Sequence, residues 1–451
     1  MSFHLGKPIL VMLLIAALSG AFIAVRPNPP KTDLVLWTFT DIHADTYRSI
    51  ISQFEKQTGK TVSIQHLTSR AENVRLESIF MTGQDSPEVL PDVVEIEIGQ
   101  VGKFFRPPID EIGLLPLNDH LKRGGWDQRL VPTRVATWSK NGVVFGVPHD
   151  VHPVSITYRD DLFKEAGIDL SQAKTWPEFQ EMALRFQEYW RAHGYPTRHA
   201  IELPEGSSDY LIVMLLQRGV NIVDQNQVVH INDPIVAKTL AFYAQLVAGD
   251  RAIASEAAGG SGVWANDAVL GNLCAFITAD WRIFNFRKFA PQLEGKLRMM
   301  PLPKFDPSDS PTATWGGTMI GITRNSKHHD DAWKLIEFLY FSQAGLDARL
   351  KVTDIIPPVM DQWSDPAFHR ADPYFGGQKV QELYLDLAPQ VRPRYVTPVT
   401  PIAQSTLSVV VNYAVRYVKQ NGTNGLEEAC QKWLNEAAED LKARIEHDRF
   451  E

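Results

Sequence analysis

From residue 33 onward the chain alternates short apolar runs with amphipathic stretches. Residues 33–39 (DLVLWTF) and 61–67 read as strands, and so do residues 92–98 behind Pro91. Between the first two, Tyr47, Ile50, Ile51 and Phe54 recur at i, i+3, i+4, i+7, one buried helix stripe closed by Gly59. Residues 74–81 are helix-like. Strand–helix–strand alternation of this kind predicts an α/β lobe with a mainly parallel sheet. Ligands of such sheets sit beyond the carboxyl ends of the strands, which points to Trp37, Phe39, Asp41, Glu95 and Glu97.

The pattern changes at residues 142–163. Residues 143–147 form a β-branched and aromatic run bounded by glycines, and residues 154–158 alternate apolar and hydroxyl side chains, so both suit strands. Pro148 cannot donate a ladder hydrogen bond, and the pairing is expected to break there. Two strands joined by an interrupted polar segment carry a chain from one lobe to another beside a cleft, although an ordinary strand–turn–strand reads the same way. Beyond it, residues 161–166 form a helix, and Thr175-Trp176-Pro177-Glu178 is a capping box opening another. Helices are expected at 210–217, 234–248, 330–341, 402–417 and 426–445, and strands at 273–278 and 316–322. Residues 301–311 read as a loop, Gly259-Gly260-Ser261-Gly262 as a flexible one, and Ile355-Ile356-Pro357-Pro358 as an exposed break.

The N-terminus differs from the rest. Lys7 precedes an apolar run with no charge until Arg26. The run has the pattern of a secretory signal but approaches the ~20 residues that cross a bilayer, so a cleaved signal and a retained anchor are both expected readings. Either one exports the body, behind a proline-stiffened tether at residues 26–31.

A chain of 451 residues is long for one core, and two lobes are expected. With 44% hydrophobic and 22% charged residues it is globular, and a net charge of -8 without any basic block argues against nucleic acid as a partner. Cys274 and Cys430, the two cysteines, both fall in apolar runs and read as buried free thiols. No P-loop, HExxH or GxSxG string occurs, and neither His149/His152 nor His328-His329 has convincing ligand spacing, so neither metal nor cofactor is expected. The acids are more suggestive. Asp150, Asp280, Glu95 and Glu97 lie at strand ends, where two carboxylates could serve a glycoside hydrolase as acid and base. Carboxylates also accept hydrogen bonds from sugar hydroxyls, and here they travel with aromatics, Asp280 with Trp281 and Asp41 with Phe39, which leans towards binding.

Several short strings, weak singly and strong in this order, carry a resemblance: LVLWTF (34–39), FEKQTGKTV (54–62), PDVVEI (91–96), GLLPLND (113–119), GVVFGVP (142–148), ITYRDDLFKEAG (156–167), TWPEF (175–179), the segment 315–339 that opens with WGGTMIGIT, and IPP (356–358). With them the chain resembles the family 1 extracellular solute-binding proteins of bacterial ABC importers, the maltose-binding-protein-like group. The resemblance implies a two-lobe, type II periplasmic-binding-protein-like α/β fold with a cleft and a hinge. Residues 32–148 and 312–355 would form lobe 1, and residues 149–311 and 356–451 lobe 2. It implies ligand contacts from Trp37, Phe39, Asp41, Glu95, His149, Asp150, Asp280, Trp281, Trp315, Gly316 and Gly317. The implied activity is capture of a mono- or oligosaccharide by a monomer and delivery to permease subunits in the membrane. A membrane-tethered sensor and a hydrolase using Asp150 and Asp280 are the alternatives. Arg159 and Asp160 depart from the family's usual Asn-Lys, and Arg392-Pro393-Arg394-Tyr395 has no match in the resemblance; its two arginines could meet an anionic ligand group or solvent.

Overall fold

The computed structural model describes residues 7–25, 32–82, 90–257 and 262–448. The tether at 26–31 and most of the glycine-rich loop lie outside them. Twelve strands are described: β1 (Leu34–Thr38), β2 (Val62–His66), β3 (Val93–Glu97), β4 (Ser139–Lys140), β5 (Val143–Val144), β6 (Val147–Pro148), β7 (Val154–Arg159), β8 (Ile201–Glu202), β9 (Ala254–Ser255), β10 (Ala275–Ala279), β11 (Leu297–Pro301) and β12 (Thr318–Ile322).

The first lobe is built on a five-stranded sheet in the order β2-β1-β3-β12-β6. β1 runs parallel to β2 and β3, whereas β12 runs antiparallel to both β3 and β6. Alternate side chains of β1 leave on opposite faces, as the period of a strand demands. Leu34 and Leu36 pack with Tyr47, Phe54 and Trp333 on one side. Val35 and Trp37 pack with Leu76, Phe104 and Phe145 on the other. In the second lobe β7 lies between β10 and β11, antiparallel to each, and the parallel pair β8/β9 joins through a parallel bridge between His199 and Leu273. The first sheet is therefore mixed and the three-stranded second one antiparallel, rather than mainly parallel. The physical reason is that the last strand of the first sheet, β12, re-enters from the other lobe and meets β3 head to tail.

Other departures from the sequence reading are local. Pairing does not stop at Pro148: it sits in β6 opposite Met319, on the edge of the sheet, where a missing N–H costs no ladder bond. The expected strand at 143–147 is split, because Val143 and Val144 fold back on Ser139 and Lys140 as a hairpin. Pro301, expected in a loop, instead ends β11, a strand the sequence reading did not place and whose Leu297, Met299 and Met300 are buried. Among the described residues no helix is long and apolar enough to cross a membrane.

Three segments pass between the lobes side by side. His149 N donates to Thr318 O at 2.8 Å, Val154 N to Ala313 O at 3.2 Å, and Val151 N to Ile356 O at 3.1 Å, so the first crossover is the middle of three. The C-terminal part does not belong wholly to the second lobe: Val359 packs in the first-lobe core and Val396 against Phe104 and Phe105. The helix Thr400–Asn421 then returns to the second core through Leu407, Val411 and Val415. Cys274 and Cys430 are both buried and unpaired.

The helix Trp176–Ala192 shows how local sequence fixes this frame. Glu178 N donates to Thr175 Oγ1 at 3.3 Å and Thr175 N returns a bond to Glu178 Oε2 at 2.9 Å. The helix buries Phe179, Ala183, Phe186 and Trp190 in the second core. Replacing Thr175 by Ala leaves the N3 amide without its cap and is expected to cost about 1 kcal/mol, read as a lowered urea midpoint with an unchanged slope.

Candidate functional site

The site lies where the three crossovers pass between the lobes. Its buried part is a chain of charges. Arg134, on the helix Pro132–Thr137, donates from Nη2 to Asp150 Oδ1 at 2.9 Å, from Nε to Asp150 O at 3.1 Å and from Nη1 to Thr314 Oγ1 at 3.0 Å. Asp150 Oδ2 accepts from Thr318 N at 3.0 Å and lies 3.1 Å from His152 Nε2. His152 Nδ1 lies 2.5 Å from Asp280 Oδ1, which also accepts from Trp281 N, while Asp280 Oδ2 accepts from Ile356 N at 2.8 Å. Asp150 and Asp280 are both 0% exposed. Although burial alone would lower it, the two flanking carboxylates raise the His152 pKa to about 9, so the imidazole is doubly protonated at neutral pH. Asp150 is held well below the usual carboxylate range: burial opposes this, and the His152 charge outweighs it with help from His149 and Arg134.

A second buried group sits beside the first. Glu95 accepts from Thr38 Oγ1 and Tyr340 Oη at 2.5 Å each and from Tyr47 Oη, and lies 3.0 Å from His43 Nδ1. Burial pushes its pKa up, but His43, His149 and Thr38 together bring it to about 2. His149 stacks on His43 with ring centres 4.1 Å apart and is kept neutral, its pKa lowered to about 3 by burial and by the Arg349 and His43 charges. His43, Glu95 and His149 converge as metal ligands could. Four donors already occupy the two oxygens of Glu95, which fills the acceptor capacity of a carboxylate, and the group is complete as a hydrogen-bond network.

Two half-buried indoles, backed by the buried Tyr210, form the more accessible part. Trp281 starts the helix Asp280–Phe289 at the carboxyl end of β10, and its Nε1 donates to Trp315 O at 3.0 Å. The two indoles meet edge to face at 5.2 Å, and Tyr210 lies 5.0 Å from Trp315. Tyr210 is held by Arg282 Nη1 at 3.0 Å and donates to Glu202 Oε2 at 3.0 Å. Gly316 (φ 88) and Gly317 (φ 145) adopt backbone conformations that favour glycine, and a Cβ on Gly317 would fall 2.3 Å from Arg134 Nη2. Across the gap in the first lobe, Phe39 is half-buried and Asp41 is exposed, its Oδ1 3.0 Å from His66 Nδ1. Two grooves open between the lobes. One of 1070 Å³ runs between the helices Asp41–Thr58 and Asp280–Phe289, and the other, of 730 Å³, lies between Pro132–Val144 and Tyr395–Pro398.

The structure thus divides the residues singled out in the sequence. Phe39, Trp281, Trp315 and Gly316 are half-buried and Asp41 is exposed, whereas Trp37, Glu95, His149, Asp150, Asp280 and Gly317 are buried. Expected as ligand contacts, Glu95, Asp150 and Asp280 instead spend their acceptor oxygens inside the protein. Asp150 and Asp280 flank one imidazole and cannot act as a hydrolase's acid and base, because neither reaches solvent. The sequence reading missed Arg134, His43, Tyr210 and Glu72. Glu72 is 2% exposed, its Oε1 has no partner among the described residues, and burial with the Glu95 charge raises its pKa to about 9. It had a signal: Glu72, Leu76 and Ile79 share one helix face, an acid inside an apolar stripe.

Two lobes, three crossovers and a half-buried tryptophan pair beside them define a two-lobe binding protein of the type II periplasmic class. Residues 40–345 match the family described as bacterial extracellular solute-binding protein. The chain belongs to that family, a family of binders rather than enzymes that work outside the cytoplasm. It is 23% identical over 426 residues to an arabinooligosaccharide-binding protein of Halalkalibacterium halodurans, covering 92% of this chain and 90% of the relative. Its fold is similar to that of the sugar-binding protein MalE from Xanthomonas citri, with a TM-score of 0.70 at 20% identity, covering 92% of this chain and 99% of the other. It is also similar to an ABC-transporter-associated binding protein of B. animalis subsp. lactis in complex with β-1,6-galactobiose, with a TM-score of 0.66 at 20% identity and coverage of 90% and 97%.

The buried imidazole gives a pH test. His152 has a folded pKa of about 9 against roughly 6.5 unfolded. Its contribution to stability is therefore full below about pH 6.5 and is lost as pH rises through about 9. Urea midpoints are expected to fall over that window. Glu72, protonated in the fold, pulls in the same direction, so the difference between wild type and His152→Gln isolates the imidazole. The variant should be less stable at pH 6 and show a flatter profile; parallel profiles would show that His152 is not charged in the fold.

Proposed function

We propose that this chain captures an oligosaccharide in the gap between its lobes and delivers it to the permease subunits of an ABC importer. The observation that carries this reading is the group Trp281, Trp315 and Tyr210, tied together by ring contacts and by the Trp281–Trp315 hydrogen bond. Partly exposed indole faces stack on the apolar side of a sugar ring, while carbonyl and carboxylate groups beside them accept from hydroxyls. Family membership supports capture, and relatives named for arabinooligosaccharide and galactobiose ligands support a saccharide.

Phe39, Asp41 and the backbone around Gly316 are the contacts we assign beside the aromatic group. The buried acids act behind them, holding the crossovers in place. The apolar N-terminal segment, as cleaved signal or as anchor, brings the body to the outer side of the membrane. Ligand spanning the gap stabilises the closed arrangement only by its differential affinity for closed over open.

A thermal-shift screen of arabino-, galacto- and malto-oligosaccharides tests the reading. A ligand bound only by the native state is expected to add about 2.7 kcal/mol at a hundredfold excess over its dissociation constant. Trp281→Ala should weaken that ligand by roughly 30-fold or more, the loss of a buried tryptophan anchor. Recovery of a cleaved sugar would refute capture.

A further inference from the structure

The aromatic group rests on a buried arginine. Arg282 follows Trp281 on the helix Asp280–Phe289, and whereas Trp281 is half-buried, Arg282 is only 5% exposed. Its Nη2 donates to Glu202 Oε2 at 2.6 Å, and its Nη1 donates to Tyr210 Oη at 3.0 Å and to Ile277 O at 2.9 Å. Tyr210 Oη donates in turn to the same Glu202 Oε2 at 3.0 Å. Three buried side chains, from β8, from the helix Asp209–Gln217 and from the helix Asp280–Phe289, thus close a triangle of hydrogen bonds.

The guanidinium also lies among rings. Its central carbon is 4.7 Å from the ring centre of Trp264, 5.5 Å from that of Phe276 and 6.0 Å from that of Trp315, within the range of cation–π attraction. Tyr210, tied at its hydroxyl, packs on Trp315 at 5.0 Å with the ring planes 52° apart, and Trp315 meets Trp281 at 5.2 Å. All of this stands on one lobe: Tyr210 belongs to the second core, and Trp281 and Trp315 pack against it. A buried ion pair adds little net stability over an apolar replacement, so its effect here is on direction. A planar fork makes its bonds along fixed lines and lies against aromatic faces, which the point charge of a lysine does not do. A tyrosine whose hydroxyl is bonded to two charged groups keeps one ring position, and a stacking face already in place need not be ordered when a sugar binds.

We infer that Arg282 is a positioning residue for capture: with Glu202 it locks the Tyr210 ring, and through that ring it fixes the stacking faces of Trp315 and Trp281 before any sugar arrives. This rests on the oligosaccharide-capture reading above and adds to it a residue that acts through Tyr210 rather than on the sugar.

The test is calorimetric titration of the full chain with arabinotriose, β-1,6-galactobiose and maltotetraose, beside fluorine NMR of the fluorotryptophan-labelled protein, with Trp281→Phe and Trp315→Phe assigning the two resonances. Tyr210→Phe keeps the ring and removes the hydroxyl, and Arg282→Lys keeps the charge and removes the fork. Whichever of these saccharides the wild type binds most tightly is expected to bind each variant about 10-fold more weakly, the scale of one hydrogen bond to a charged group. Without any saccharide, the Trp315 resonance of each variant should broaden or split. Thr175→Ala is the control, because it weakens the second lobe without touching the triangle; its urea midpoint falls while affinity and resonances stay as in the wild type. Wild-type affinity in Tyr210→Phe, or a Trp315 resonance as sharp as in the wild type, overturns the inference and leaves capture standing. An affinity loss in Thr175→Ala as large as in Tyr210→Phe reduces the triangle to a stabilising contact and overturns it too. If Arg282→Lys does not fold, Tyr210→Phe decides alone. A wild type that binds none of the three saccharides overturns this inference and the capture reading together.

Discussion

The structure depends on one imidazole placed between two carboxylates. His152 belongs to the first crossover, Asp150 precedes it by two residues, and Asp280 comes from the end of β10 in the second lobe. Arg134 closes the chain from the first lobe, and Ile356 N brings in the third crossover. Two positive and two negative groups sit together out of water, with net charge zero. A buried ionic chain of this kind contributes little net stability over an apolar replacement, but losing one member strands a buried charge at about 3–5 kcal/mol. What it supplies is geometry. Each carboxylate satisfies a backbone amide of a different segment, which ties the crossovers to one another.

That constraint explains the unusual backbone around it. His152 has φ 53, a left-handed conformation that a histidine adopts at some cost, and it turns the ring to meet both acids. Gly317 has no Cβ where one would strike Arg134, and Gly316 lies against Trp281 Nε1 at a distance a Cβ would bring to 3.2 Å. The aromatic group in the gap therefore sits directly on the ionic chain: Trp281 follows Asp280, and Trp315 N donates to His152 O. A contact made on the indoles is carried by a base that does not yield.

Much of the fold was legible because its signals are local. β1, β2, β3 and β7 fall within a residue or so of the apolar runs, and the capping box at Thr175 places its helix start. The sense of the sheets was not legible, since β12 joins β3 from more than two hundred residues away and nothing in either run records direction. Pro148 misled for a related reason: only the sheet order reveals that it lies on an edge. Trp281 and Trp315 stood out because each abuts a break in pattern, and they lie edge to face in the fold. Asp150 and Asp280 were found too, but their role was inverted. An acid at a strand end looks the same whether it faces a ligand or an arginine, and Asp280's partner lies 128 residues away.

The inversion bears on how a binder of this class can work at all. A carboxylate exposed in a cleft must shed its water for each ligand, and that cost weakens the net gain from every hydroxyl it accepts. Here the deepest acids are already satisfied within the protein, and under the proposed reading the ligand would meet aromatic faces and backbone carbonyls instead. Affinity would then come from apolar contact and from closure. Closure in turn needs a frame in which the lobes move and the crossovers do not lose register. The chain Arg134–Asp150–His152–Asp280 meets that need, because breaking any of its contacts during the motion would expose a charge to an apolar interior. Rotation would then be left to the backbone outside that chain.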